Sequence, residues 1–137
     1  KYFNRFLFNP YPIESHLDFE LSDHLNAEIV NGTVENGDDA IDLLTWSFYY
    51  QRLTENPNYY GLKGKTNQHL SHHLSELVED CFNRLYNANC IKVDPNEMEV
   101  VPLNHGKIAS YYYVQYTTIQ FYTNALCDES TKNIKTR

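Results

Sequence analysis

The chain has 137 residues, of which 42% are hydrophobic, and its net charge is −7 at neutral pH. This length and apolar content suffice for the core of one domain, or of one small domain with appendages. Binding to a phosphate backbone through charge alone requires clustered Lys and Arg, so the acidic balance disfavours an unassisted nucleic-acid footprint.

The negative charge is concentrated in one long segment. Between Phe6 and Gln51 there is no Lys or Arg, but there are nine acidic residues: Glu14, Asp18, Glu20, Asp23, Glu28, Glu35, Asp38, Asp39 and Asp42. Such a segment either meets a basic partner surface or is solvated, and the general behaviour of charged faces favours solvation. In neither case does it form a nucleic-acid footprint.

The cysteines indicate a reducing compartment, and the apolar runs indicate no membrane span. Cys81, Cys90 and Cys127 are far apart and odd in number, so they predict no disulfide framework. No apolar run reaches the length of a membrane span, and Lys1 opens a segment without a signal-peptide pattern. The chain begins without Met and ends on a polar run, so we expect both ends to be cuts through a larger protein.

The first predicted elements are short. Residues 1–8 suit a short helix that Asn9-Pro10 would stop. The spacing of Leu21, Leu25 and Ile29 predicts a helix over residues 21–30, with Ser22 as a candidate cap and Asn31-Gly32 as its end. Thr33-Val34 would then form a two-residue strand.

The next predicted helix runs from a cap at Asn36 to Asn56-Pro57. Asp38 and Asp39 fall in its first turn, where acids complement the positive helix terminus. Apolar residues on two sides leave little polar face, which is typical of a buried helix. We therefore expect Trp46 and Phe48 to lie in the core.

The longest helix pattern starts between residues 66 and 69 and is followed at once by a hairpin. Its apolar face consists of Leu70, Leu74, Leu77, Val78, Cys81, Phe82 and Leu85. Residues 90–93 and 98–101 read as two strands around the turn at residues 94–97. Helix, short strand, two helices and a two-stranded wing make the order of a winged helix, so the predicted fold class is mainly α.

Residues 103–126 are ambiguous, since Tyr112, Val114, Tyr116 and Thr118 alternate as in a strand. About twenty residues without Gly or Pro after Gly106 exceed the normal length of a strand, so one long helix is the favoured interpretation.

The charges of the third helix argue against nucleic-acid readout. In a DNA-binding winged helix this helix enters the major groove. The charged residues between 66 and 89 are Glu76, Glu79, Asp80 and Arg84, and the wing adds Lys92 against Asp94, Glu97 and Glu99. This balance repels phosphates and favours protein contact.

The sequence predicts no catalytic residue, metal site or cofactor site in this chain. His69, His72 and His73, with Glu76 one turn on, have helical spacing, but a metal needs three or four ligands and these histidines flank the apolar face. The acid pairs Asp38/Asp39 and Glu79/Asp80 are neighbours, whose side chains diverge on a helix. No phosphate loop, nucleophile elbow or zinc-protease motif occurs.

Longer motifs resemble the winged-helix region in the C-terminal cassette of large two-cassette DExH-box RNA helicases. They spread over residues 1–126 and include Pro12-Ile13-Glu14-Ser15-His16-Leu17, Asp23-His24-Leu25-Asn26-Ala27-Glu28-Ile29, Asp39-Ala40-Ile41-Asp42, Asn56-Pro57-Asn58-Tyr59-Tyr60 and Ile108-Ala109-Ser110-Tyr111-Tyr112-Tyr113. His73-Leu74-Ser75-Glu76-Leu77 favours the spliceosomal Brr-type branch of the U-five snRNP. Gly106-Lys107-Ile108-Ala109 suits the activating signal cointegrator branch at least equally well, and that branch remains an alternative.

The resemblance implies a division of the chain and a role. Residues 1–15 would be the tail of a RecA-like domain, 16–103 the winged-helix domain and 104–137 the start of a Sec-sixty-three-like helical unit. The winged helix would be a non-catalytic structural module in pre-mRNA splicing, docking through a helix that carries Leu25, Asn26, Glu28 and Ile29. A nucleic-acid-binding winged helix and a free-standing metalloenzyme or metal sensor that uses the histidines are the alternative functions.

The resemblance also implies partners and a location. The partners would be the RecA-like domains and helical unit of the same parent chain and other spliceosomal proteins, with weak or no RNA contact and no membrane. ATP and Mg would bind the parent helicase outside this chain, and the location would be the nucleus.

Overall fold

The computed structural model describes Phe3, Asn4, Leu7 and residues 13–62, 66–94 and 99–127. The helices are α1 Leu17–Asn31, α2 Gly37–Thr45, α3 Phe48–Glu55, α4 Asn67–Asn87, α5 Asn104–Tyr112 and α6 Tyr116–Cys127. The strands are β1 Ile91–Val93 and β2 Val100–Pro102. Phe3, Asn4 and Leu7 are helical, as predicted, while the rest of the predicted helix at 1–8 lies outside the described residues.

The core forms where α1, α2 and α4 meet, as the winged-helix prediction requires. Leu25 of α1, Leu44 of α2 and Leu85 of α4 are each 0% exposed. The side chains of the predicted stripe on α4 divide: Leu70, Leu74, Val78, Cys81 and Leu85 are buried, whereas Leu77 and Phe82 are partly buried at its border. This stripe faces α1 and α2, so the period of 3.6 residues correctly predicted the inward face.

Two helix ends follow from local chemistry. The side chain of Asn36 accepts a hydrogen bond from the backbone N–H of Asp39 at 2.9 Å, which confirms the predicted cap of α2. α1 ends at Gly32, whose φ of 76° is easy for a glycine. The expected cap at Ser22 is wrong, because α1 already begins at Leu17 and Ser22 lies buried within it.

The wing is an antiparallel pair in which Lys92 lies opposite Val101. A third segment joins through a single bridge between Asn36 and Glu99, and the N–H of Val100 donates to the carbonyl of Glu35 at 2.7 Å. The predicted strand at Thr33-Val34 is wrong, since both amides donate to the carbonyl of Glu28 at the end of α1. The tip of the wing at residues 95–98 lies outside the described residues.

The single helix predicted from Asn36 to Asn56 is wrong, because Ser47 divides it. The hydroxyl of Ser47 accepts from the N–H of Tyr50 at 3.3 Å and so caps a new helix, α3. The turn carries Trp46 and Phe48 outward, and they are 91% and 53% exposed. Their predicted place in the core is therefore wrong, and Tyr49 and Leu53 fill it instead.

The single helix predicted over residues 103–126 is also interrupted. Tyr113 adopts a left-handed conformation with a φ of 54°, and the N–H of Val114 returns to the carbonyl of Ala109 at 3.0 Å. The prediction of helix over strand is confirmed. However, α6 begins as a separate helix, and the N–H of its first residue, Tyr116, donates to the carboxylate of Asp23. Among the described residues, no helix combines the length and apolar character needed to cross a lipid bilayer.

Candidate protein-docking surface

The exposed face of α4 is negatively charged. Glu76, Glu79 and Asp80 are exposed, and Arg84 is the cation of this helix. The Nδ1 atom of His72 lies 3.3 Å from a carboxylate oxygen of Glu76. Three carboxylates against one guanidinium repel a phosphate backbone, so the described part of this surface is unsuited to a nucleic-acid groove.

The three histidines of α4 have separate partners. The ring of His69 bonds with the hydroxyl of Thr66 at 2.7 Å, and His72 lies beside Glu76. The Nε2 atom of His73 is 3.1 Å from the hydroxyl of Tyr49, and burial lowers the pKa of His73. Among the described residues, no three His, Cys, Asp or Glu side chains are grouped as a metal would require.

The residues expected to dock α1 on a RecA-like domain lie mostly inside the chain itself. Leu25, Asn26 and Ile29 are at most 2% exposed, and Glu28 is partly exposed. The three buried side chains pack within the described domain, so they offer almost no surface to a neighbouring domain. The surface that α1 offers to a neighbour carries Phe19, which is 74% exposed.

A pair of long-range contacts joins α1 to the helices that follow the wing. The amide Nδ2 of Asn26 donates to the carbonyl of Gly106 at 3.0 Å. The N–H of Tyr116 donates to a carboxylate oxygen of Asp23 at 2.8 Å, and this satisfies a backbone donor in the first turn of α6. Burial raises the pKa of Asp23, and the bond from Tyr116 opposes that rise. These two bonds thus join α1 to both helices that follow the wing.

A second polar network anchors the segment that precedes α1. Arg52 and Asn56 donate to the same carboxylate oxygen of Glu14, each at 2.9 Å, and the hydroxyl of Tyr60 lies 3.1 Å from the other oxygen. These bonds, led by the one from Arg52, lower the pKa of Glu14 from its usual value near 4.5 to about 2. The network ties residue 14 to α3 and to the loop that follows it.

Large apolar side chains remain exposed on the outer helices. At the turn between α2 and α3, Trp46 is 91% exposed. On α5, α6 and the turn between them, the exposed aromatic residues are Tyr111, Tyr112, Tyr113, Phe121 and Tyr122. Exposed aromatic side chains on successive helices are candidates for contact with other protein surfaces.

A known family model matches the part of the chain that holds helices α1 to α4 and strand β1. Residues 14–95 match the model described as "Winged Helix-turn-helix domain". The chain belongs to this family. The predicted fold class and the predicted resemblance are both confirmed.

Relatives of this chain include two helicases and one protein named after the activating signal cointegrator complex. The chain is 54% identical over 125 residues to the U5 small nuclear ribonucleoprotein 200 kDa helicase of Homo sapiens, covering 91% of this chain. It is 50% identical over 130 residues to the DExH-box ATP-dependent RNA helicase DExH12 of Arabidopsis thaliana, covering 95%. It is 50% identical over 126 residues to the activating signal cointegrator 1 complex subunit 3-like protein of Dictyostelium discoideum, covering 92%. The chain spans 6% of the length of each of these relatives.

Several residues that organise this winged-helix domain escape sequence reasoning. The hydrogen bonds of Glu14 and Asp23 span 38 or more positions, and no local periodicity connects such distant residues. Gly106 did carry a signal, since a glycine within a helix pattern costs about 1 kcal/mol relative to alanine. A Cβ at Gly106 would lie 2.4 Å from the carbonyl oxygen of Cys90 and 2.6 Å from Oδ1 of Asn26.

Proposed function

We propose that this winged-helix domain is a non-catalytic structural module of a large ATP-dependent RNA helicase that acts in pre-mRNA splicing in the nucleus. In this proposal it packs on the RecA-like domains of its parent and serves as a scaffold for other spliceosomal proteins. Residues 1–15 belong to the preceding RecA-like domain, 16–103 to the winged helix and 104–137 to the next helical unit. ATP and Mg bind elsewhere in the parent.

The exposed aromatic side chains carry the proposal. Trp46 and Tyr113 are 91% and 98% exposed, although residues of this kind are normally covered. A domain that occupies a few per cent of a much larger chain has neighbouring domains available to cover such residues. The junction of α1 with α5 and α6 supports the same role, because it couples the winged helix to the segment that would begin the next unit.

The charge of α4 supports protein contact over RNA contact. A winged helix that reads nucleic acid presents cations from this helix, whereas here carboxylates outnumber the guanidinium three to one. No observation among the described residues favours the alternative of a nucleic-acid-binding winged helix.

The single tryptophan permits a direct test. With Trp46 replaced biosynthetically by 5-fluorotryptophan, the chain gives one ¹⁹F NMR resonance that reports on this surface alone. We expect the resonance to shift and broaden when a RecA-like domain pair of this helicase family, prepared without its winged helix, is added. Single-stranded RNA should leave it unchanged.

A parallel titration with labelled RNA at low and moderate salt addresses the alternative. Tight RNA binding that weakens steeply with salt, together with no response to the RecA-like pair, would overturn the proposal.

A further inference from the structure

A groove between α2, α4 and β1 is left uncovered by the rest of the described chain. Its volume is about 660 Å³, which falls in the range of ligand and peptide sites. Every residue that lines it belongs to one of these three elements. Since α5 and α6 pack on the side of α1, the junction with the downstream helices leaves this groove open.

The floor of the groove is apolar. Ile41 of α2, Phe82 of α4 and Val93 of β1 are only partly buried there, and each is packed against the core on one side. Tyr86, one turn after Phe82 on α4, lines the same groove and is 54% exposed. These side chains form a site for the large apolar side chains of a bound segment.

The rim of the groove is negative. Asp38 and Glu79 line it from opposite helices, and no Lys or Arg is among its described lining residues. Lys92 precedes Val93 in β1, and successive strand residues point to opposite faces, so its side chain is directed away. Arg84 follows Phe82 by two residues, which places it about 200° around α4.

We propose that this groove binds a short segment of another protein that presents large apolar side chains flanked by Lys or Arg. The inference rests on the proposed scaffold function and specifies one of its docking sites and the chemistry of the partner. Apolar anchors would enter between Phe82 and Tyr86, and the flanking cations would meet Asp38 and Glu79. An RNA backbone would bring its phosphates against the same carboxylates, which excludes it from this site.

The test uses two synthetic peptides as probes. Both are fluorescein-labelled and carry three leucines at helical spacing, flanked in one by lysines and in the other by glutamates. In fluorescence anisotropy with the chain, the lysine peptide should bind about tenfold more tightly than the glutamate peptide at low salt, because Asp38 and Glu79 attract lysines and repel glutamates. The difference should shrink as salt screens the pairs.

Matched variants locate the binding. Tyr86→Ala and Glu79→Lys should each weaken the lysine peptide several-fold. Tyr59→Ala and Glu20→Lys serve as controls and should leave its affinity nearly unchanged. Tyr86 and Tyr59 are 54% and 52% exposed, so their truncation removes similar surface without opening the core, and far-ultraviolet circular dichroism checks that each variant is folded.

The results separate this inference from the proposed function. Equal affinity for both peptides, or equal losses in groove and control variants, would overturn the groove while leaving the ¹⁹F response to the RecA-like pair intact. Tight binding of labelled single-stranded RNA that weakens steeply with salt and is reduced by Tyr86→Ala, together with no ¹⁹F response to the RecA-like pair, would overturn both.

Discussion

Asn26 and Gly106 lie 80 positions apart in the sequence and are joined by a hydrogen bond of 3.0 Å from Nδ2 of Asn26 to the carbonyl of Gly106. Asn26 is 1% exposed, so its amide has been removed from water and depends on this partner. The carbonyl of Cys90 approaches Gly106 from the wing and also accepts from the N–H of Leu103 at 2.8 Å. At this point α1, the wing and α5 come together, and only a residue without a side chain fits between them.

Gly106→Ala should lower the free energy of unfolding by about 1–3 kcal/mol, the usual cost of overpacking. The added methyl would lie 2.4 Å from a backbone carbonyl oxygen, which cannot rotate away as a side chain can. Gly37→Ala is the matched control, since a Cβ there has nothing within 4 Å. Urea unfolding followed by circular dichroism measures both variants, and equal stability of the two would contradict the close approach at Gly106.

Glu14→Gln should alter how stability depends on pH. The folded state lowers the pKa of Glu14 to about 2, below its ordinary value near 4.5, so the unfolded chain binds the proton more readily. The stabilisation is therefore present above about pH 4.5 and is lost as the pH falls toward 2. The difference in thermal midpoint between the native chain and the Gln variant should shrink over this window, and a constant difference would exclude the network as its origin.

Trp46→Ser should leave the stability of the isolated chain within about 0.5 kcal/mol of the native value, because the indole is 91% exposed. Leu44→Ala, two residues earlier, should cost about 2–5 kcal/mol, because Leu44 is 0% exposed. Chemical denaturation of the two variants measures this contrast. A large loss for Trp46→Ser would restore the original prediction that the tryptophan belongs to the core.

Tyr113→Gly should stabilise the chain by about 0.5–1 kcal/mol, because a left-handed backbone costs a residue with a side chain more than it costs glycine. The φ of Tyr113 is 54° and its side chain is 98% exposed, so little packing is lost. Tyr111→Gly is the control within the same helix, and there glycine should destabilise, since the backbone is helical. Thermal unfolding of both variants compares them, and a loss of stability at position 113 would be the contrary result.

Element type was largely predictable because it depends on nearby residues. The stripe on α4 repeats within one helix, the cap at Asn36 acts over three positions, and the wing strands are adjacent in sequence. The charge of α4 is likewise a property of composition. These local signals, with the motifs that resemble the helicases, sufficed for the fold class and for the family.

The breaks within helices were less predictable, because each depends on a balance that periodicity does not contain. Ser47 caps α3 and so ends α2. Tyr113 adopts a left-handed conformation at the end of α5. Close to it, Tyr116 bonds to Asp23, which lies 93 positions earlier in the chain. Which surface covers the expected docking residues of α1 was equally hard to predict from the sequence. Leu25 and Ile29 are apolar in the sequence whether they face this domain or a neighbour.

By itself, the sequence determined a mainly helical winged-helix chain with an acidic helix after residue 66, since short-range spacing and charge specify these properties. Only the tertiary structure decided that Trp46 is exposed, that Asn26 meets Gly106, and that Phe82 and Val93 line an open groove. The physical reason is that the hydrophobic effect favours covering any apolar face without specifying which surface covers it. That choice depends on contacts between elements far apart in the chain.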